Sequence, residues 1–273
     1  MAVETTSWVL PVAQEAYKHR KEVLSAWNRI TTFLFGSKKA IAFTGTAGAG
    51  KTVLFDHLTG LAYKPGYVPP LTSQSVEIGK VAAPKKRIRV SVIPGQEAPP
   101  RVYAINNIFL GKKPVDGVIH VVSNGFIETR SQAARETLIK EGNLTTLEQY
   151  REHQLGQELI DIDSTCELIR QTIYKHHKPT WMLIAVAKAD LYYESIAQAE
   201  RYYSPHGDSR FVERLRQLQA QVGTDNFAWD AMPVCAWLQD FNWNAETRHS
   251  TLKPNQRDHF LAMFASQVEQ YCG

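Results

Sequence analysis

The sequence is poor in the features that mark membrane, secreted and metal-dependent proteins. No apolar run in its 273 residues approaches the length of about 20 residues that a helix needs to cross a bilayer. There are three cysteines, Cys166, Cys235 and Cys272, far apart and odd in number. That argues against a disulfide framework and for thiols in a reducing compartment. The nine histidines show no metal-ligand spacing: His176 and His177 are the only adjacent pair, with no cysteine or third histidine nearby. The opening stretch, "MAVETTSWVLPVAQEAYKHRKE", carries an acid early and lacks a long apolar core, so it does not read as a signal peptide. Repeats and low-complexity segments are absent as well. A cytoplasmic protein is the expectation.

Excess charge is also small. The net charge is +4, and the basic residues cluster locally, in "PKKRIR" (Pro84 to Arg89) and "GKK" (Gly111 to Lys113). No aromatic residues interleave with them to stack on bases, so they read as turn and surface residues, and nucleic-acid binding is not expected. What remains is an ordinary globular composition, 44% hydrophobic and 21% charged, in a chain long enough for one large domain with additions.

Against that background one stretch stands out. Ala40 to Phe55 reads "AIAFTGTAGAGKTVLF". Ala40 to Thr44 is an apolar run of strand length. Gly45 to Thr52 fits G-x-x-x-x-G-K-[ST] at every fixed position, and Val53, Leu54 and Leu58 then recur at helical spacing. A polyphosphate needs many donors close together. Glycines let the backbone turn so that successive N–H groups of Gly45, Thr46, Ala47, Gly48, Ala49 and Gly50 point inward. The helix that opens there adds its own N–H groups, including that of Val53, and its dipole. Lys51 can reach the outer phosphates, and the Thr52 hydroxyl can ligate magnesium.

Along the chain, residues from about Pro11 to Phe35 read as an amphipathic helix, from Val12, Ala16, Val23, Ala26, Trp27, Ile30 and Leu34. Strands are expected at Ala40–Thr44, Ser75–Ala82, Arg87–Ile93, Val115–Val122, Trp181–Val186 and Met232–Ala236. Helices are expected at Glu213–Val222 and Arg257–Gln270, and Asn124 to Lys178 holds two helices or one with a break. This order predicts an α/β fold: a mostly parallel sheet with helices on both faces and one antiparallel edge strand. An N-terminal helical extension over 1–36 precedes a domain over 37–273 that carries a helical insertion at about 124–178.

Three further stretches sit at strand ends, where an open parallel sheet places its ligand. They are "VIPGQE" (Val92 to Glu97), "AKADL" (Ala187 to Leu191) and "VCAW" (Val234 to Trp237). With the phosphate loop, in this order, they resemble the small-GTPase superfamily, the Ras-like G domains among the P-loop NTPases, from about Ala40 to Tyr271. The resemblance implies GTP or GDP as ligand, Mg2+ as cofactor and a protein effector or regulator as partner. It implies that Gly95 senses the terminal phosphate and Gln96 orients the attacking water. "AKAD" is similar to the guanine motif [NT]-K-x-D, in which Asp190 would accept from the base and the Lys188 stem would lie along it. "CAW" (Cys235, Ala236, Trp237) is similar to S-A-[KL], where the Ala236 N–H would meet the guanine oxygen. Thr72 is the candidate first-switch threonine over magnesium, beside Thr52, with Ser73 and Ser75 as rivals.

Three departures bear on activity. Val92 stands where the family's D-x-x-G motif has the aspartate that holds magnesium through a water. Ala187 replaces the usual Asn or Thr, and Ala47 stands where many members have glycine. Two readings follow: a slow GTPase switch acting on a protein partner, or a hydrolysis-poor interaction module in which nucleotide mainly stabilises the fold. An ATPase requires the "AKAD" match to be accidental.

Overall fold

The computed structural model describes residues 40–70, 77–79, 89–92, 105–129 and 131–272, together with Trp8 and Ser25. The expected helix over residues 11–35 therefore lies outside the described residues, apart from Ser25, as do the loops that carry Thr72, Gly95 and Gln96.

Strands β1 (Ala40–Thr44), β2 (Glu77–Gly79), β3 (Arg89–Val92), β4 (Gly117–Val122), β5 (Thr180–Val186) and β6 (Phe227–Pro233) form one six-stranded sheet in the order β2-β3-β1-β4-β5-β6. All neighbours are parallel except β2, which runs antiparallel to β3 at the edge. The sheet is thus mostly parallel with one antiparallel edge, as the sequence predicts.

Each central strand is apolar on both faces because helices cover both. Alternate residues separate cleanly. Ala42, Val118, Val122, Met182, Ile184 and Val186 face one core cluster, and Ile41, Phe43, Ile119, Val121, Leu183 and Ala185 face the other. The second cluster is closed by α1 (Lys51–Leu58), through Leu54, Phe55 and Leu58, and by the last helix, α6 (Pro254–Cys272), through Leu261, Phe264 and Val268.

The first cluster is closed by the segment between β4 and β5 and by the helices after β5. The β4–β5 segment holds two helices, α2 (Gln132–Lys140) and α3 (Leu147–His176). The 30-residue α3 starts from a capping box: the Thr146 hydroxyl accepts from Gln149 N at 3.3 Å, and Gln149 Oε1 accepts from Thr146 N at 3.1 Å. It inserts Ile162, Ile169 and Ile173, and α5 (Arg210–Val222) adds Phe211, Val212, Leu215 and Leu218.

The C-terminal third differs from the sequence expectation. The last sheet strand is Phe227–Pro233, not Met232–Ala236, and Val234 to Trp237 follow it as irregular chain. Asp230 and Pro233 weaken the strand signal of "FAWDAMP", but β6 pairs along its whole length with β5, and that pairing overrides local preference. A helical turn (Ala189–Tyr192), the helix α4 (Ile196–Tyr203) and a hairpin of β7 (Phe241–Trp243) with β8 (Glu246–Arg248) were not legible in the sequence. Of the three cysteines all are buried and none forms a disulfide.

Candidate functional site

The loop after β1 is shaped by its contacts. Gly45 has φ 126°, and a Cβ there would lie 2.2 Å from the carbonyl oxygen of Val121 on the adjacent strand. Only glycine fits so close to the sheet. Gly50, at φ 102°, is the N-cap of α1, so the loop turns directly into a helix N-terminus. Lys51 is 7% exposed, and its ammonium donates to the carbonyls of Gly45 and Thr46, both at 2.7 Å. The cation is therefore held inside the loop that it follows. The Thr46 hydroxyl is buried with no hydrogen-bond partner among the described residues. Thr52 is half-buried in the first turn of α1.

The ends of β5 and β6 supply the other side. Lys188 adopts the left-handed conformation, φ 59°, and opens the turn that carries Asp190. Asp190 is 1% exposed. Its Oδ1 accepts from the Cys235 thiol at 3.3 Å and its Oδ2 from Gln239 N at 3.3 Å. Its carbonyl accepts from Thr251 N at 3.0 Å and from the Thr251 hydroxyl at 2.9 Å. Burial, and then the Asp190 charge, push the Cys235 pKa well up, so Cys235 stays a thiol and remains a donor to that carboxylate.

Both sides meet in a cavity of about 670 Å³. Gly48, Ala49, Gly50 and Val53 line its phosphate-loop side, and Lys188, Asp190, Ala236 and Trp237 line the opposite side. Of the remaining sequence candidates, Cys235 stands behind Asp190, while Gly45, Thr46, Ala47, Lys51 and Thr52 belong to the loop without lining the cavity. Val68, Pro69 and Pro70, Glu128, Gln239 and Phe241 line it too. Motif spacing could not have found them, because three separate connections bring them in. The Lys188 ammonium donates to the carbonyl of Phe126 at 2.6 Å, lies 5.5 Å from the Phe241 ring centroid and 3.9 Å from Glu128 Oε1. Trp237 packs edge-on to Tyr67 at 6.1 Å, and the Tyr67 hydroxyl donates to Asp56 Oδ2 on α1 at 2.9 Å.

A glycine-rich loop between the first strand and a helix, a sheet of this order with its antiparallel edge, and two loops converging on that cavity from the ends of β5 and β6 decide the architecture. The fold is of the G-domain type. Three solved structures resemble the chain loosely. The ADP-ribosylation factor-like GTP-binding protein, small COPII coat GTPase SAR1, from Encephalitozoon cuniculi in complex with GDP is 15% identical; 94% of this chain and 89% of that one are covered, at a TM-score of 0.43. The signal recognition particle receptor SRb-GTP/SRX complex from Chaetomium thermophilum is 12% identical, with 72% and 93% covered and a TM-score of 0.41. Toc33 from Arabidopsis thaliana in complex with Mg2+ and GMPPNP is 13% identical, with 94% and 96% covered and a TM-score of 0.39. At such identities and scores they add nothing to the strand order and loops of the chain itself. No family model and no curated protein matches it.

The fit to magnesium is thin among the described residues. Val92, where the family motif has an aspartate, is fully buried among Ile41, Phe43, Leu54 and the rest of the second apolar cluster. Asp116 offers no substitute. It sits at the other end of β4, where its carboxylate accepts from Ala40 N at 2.6 Å and pairs with Lys178 at 2.6 Å. No group of three or more His, Cys, Asp or Glu that could hold a metal occurs among the described residues. Of the two residues that the motifs assign to the ion, Thr52 is the one that lies among the described residues. Magnesium takes six oxygens and usually draws most of them from water and substrate phosphates, so these residues would supply only part of its shell. Among the described residues no helix is long and apolar enough to cross a membrane.

Proposed function

We propose that this G domain binds a guanine nucleotide, GDP or GTP, with the phosphates in the Gly45–Thr52 loop and the base between Lys188, Asp190 and Ala236. The carrying observation is Asp190: a carboxylate 1% exposed, in the wall of the cavity and fixed by Cys235 and Gln239. Guanine presents N1–H and an exocyclic amine as paired donors. Adenine presents no such pair and would leave the remaining lone pairs of that carboxylate unmatched, which argues against an ATPase. The function that follows is a slow GTPase switch acting on a protein effector or regulator. In it Gln96 would position water, Gly95 would sense the terminal phosphate, and Thr52 with Thr72 would hold a magnesium, which would supply positive charge to the phosphates.

One observation favours the second reading, a binding module with little hydrolysis. Val92 belongs to the apolar core, so the acid that would anchor the metal has no counterpart at that position. Nucleotide would then act mainly by stabilising the folded state.

The test is to extract the purified protein, identify the co-purified nucleotide by chromatography, and titrate GDP and ADP calorimetrically into nucleotide-free protein. GDP or GTP in the extract with selective GDP binding supports the reading. ATP or ADP, or equal affinity for both diphosphates, overturns it.

A further inference from the structure

The base loop and the phosphate loop need a fixed spacing, yet Ala187 has no side chain that could tie one to the other. The chain between β4 and α2 bridges them. Lys188 reaches it through the Phe126 carbonyl at 2.6 Å. At its other end Glu128 and Ile127 close over Gly48: a Cβ on Gly48 would lie 2.7 Å from the Glu128 carbonyl oxygen and 3.3 Å from the Ile127 side chain. Residues 123–128 therefore touch both loops.

That bridge hangs on a side chain from elsewhere. Glu158 of α3 is 1% exposed, and its Oε1 accepts from Ser123 N at 3.0 Å and Gly125 N at 3.1 Å. Its Oε2 accepts from the Tyr203 hydroxyl at 2.5 Å. A buried carboxylate is costly unless each oxygen is satisfied, and here each is. The same face of α3 carries Asp161 and Thr165 beside His120 of β4, at 3.7 Å and 3.5 Å, so the helix is registered against β4 at more than one point.

Resting on the guanine-nucleotide reading, we infer that Glu158 is a positioning residue for nucleotide binding: by holding the amides of Ser123 and Gly125 it sets the spacing between the Lys188–Asp190 loop and the phosphate loop. A ligand that engages both loops, such as GDP, gains from a fixed spacing as a linked pair gains from effective concentration. Inorganic diphosphate uses the phosphate loop alone and does not.

The test uses E158M, which keeps the bulk and removes the acceptor, E158Q, which keeps one oxygen for the two amides, and Y203F, which removes only the donor to Oε2. E158M should lose GDP affinity by roughly tenfold or more while its diphosphate affinity stays near the parent's. E158Q should restore most of the loss, and Y203F should lower the melting temperature without changing the ratio of GDP to diphosphate affinity. Equal losses for both ligands in E158M, or no loss, overturn the inference. If E158M does not fold, amide exchange in the parent decides. GDP, and not diphosphate, should slow exchange in residues 123–128 and 187–191 together; unchanged exchange in 123–128 overturns the inference. A parent that binds diphosphate but not GDP removes the nucleotide reading as well, whereas a parent that binds GDP beside an unaffected E158M removes the inference alone.

Discussion

The Thr44 hydroxyl and His120 Nδ1 lie 2.9 Å apart at the last residue of β1, immediately before the phosphate loop. His120 is fully buried, and its Nε2 faces Asp161 at 3.7 Å with no hydrogen-bond partner among the described residues. Burial lowers its pKa to about 4 against the opposing pull of Asp161, and the Lys51 charge lowers it further. The folded protein thus holds a neutral imidazole where the unfolded chain holds an ordinary one.

Stability should follow from that difference. Between the unfolded value of 6.5 and the folded value of about 4, the unfolded chain binds a proton that the fold does not. The stabilisation is present above pH 6.5 and is lost as pH falls toward 4, by about 3 kcal/mol in total. The unfolding free energies of the parent and of His120→Gln, measured in urea at pH 7.5 and pH 4, should differ less at the lower pH by about that amount. A constant difference would show that His120 is not the group responsible.

Lys51→Ala should lower GDP affinity by roughly a hundredfold or more, about 3 kcal/mol. It should also cost stability, because the ammonium joins the carbonyls of Gly45 and Thr46 at the start of the loop. Calorimetry and thermal melts on the same samples check both. Undiminished GDP affinity in a folded variant would remove the loop from the binding site.

The turn from β1 into α1 was legible because its signals are local: an apolar strand run, a glycine at the helix N-cap and a helical apolar spacing after it. The parallel sheet was legible from the order in which apolar strand runs and helices alternate along the chain. Glu128, Gln239 and Phe241 were not, because they reach the cavity through connections whose course depends on tertiary packing. Nor was Glu158. Mid-helix glutamates usually face solvent, and only the arrival of the Ser123 and Gly125 amides distinguishes this one. The β7–β8 hairpin escaped notice because its strands are three residues each and carry little periodic signal.

Asp190→Asn should weaken GDP binding and shift preference toward xanthosine diphosphate. The amide turns one acceptor into a donor, and xanthine offers an oxygen where guanine has its amine. Loss of the charged acceptor should cost on the order of 1.5–3 kcal/mol in GDP affinity. Because Cys235 and Gln239 both donate to the carboxylate, the variant should also melt lower than the parent. Competition between the two diphosphates reads the preference; an unchanged preference would mean that Asp190 does not meet the base.

The motif alone suggests that Val92→Asp would restore a metal anchor and speed hydrolysis. The packing predicts another outcome. Val92 ends β3 opposite Phe43, fully buried in a cluster with Ile41, Leu54 and Leu58. A carboxylate there loses its hydration and gains no polar partner that the described residues supply, so it should be protonated or should open the packing. Val92→Asp should therefore destabilise the fold by about 2 kcal/mol or more, with the loss greatest at neutral pH, where the unfolded chain ionises freely. Its magnesium requirement in single-turnover GTP cleavage should not sharpen. The decisive comparison is parent, Val92→Asp and Gln96→Leu across a magnesium titration, beside urea unfolding of each. Slow parental cleavage that Gln96→Leu slows further, with no rescue by Val92→Asp, fits a weak GTPase in which the end of β3 has been given over to the core. No cleavage in any of the three, with GTP still bound, fits the binding module. A stable Val92→Asp protein with faster, magnesium-dependent turnover would show that Val92 occupies a ligand position after all.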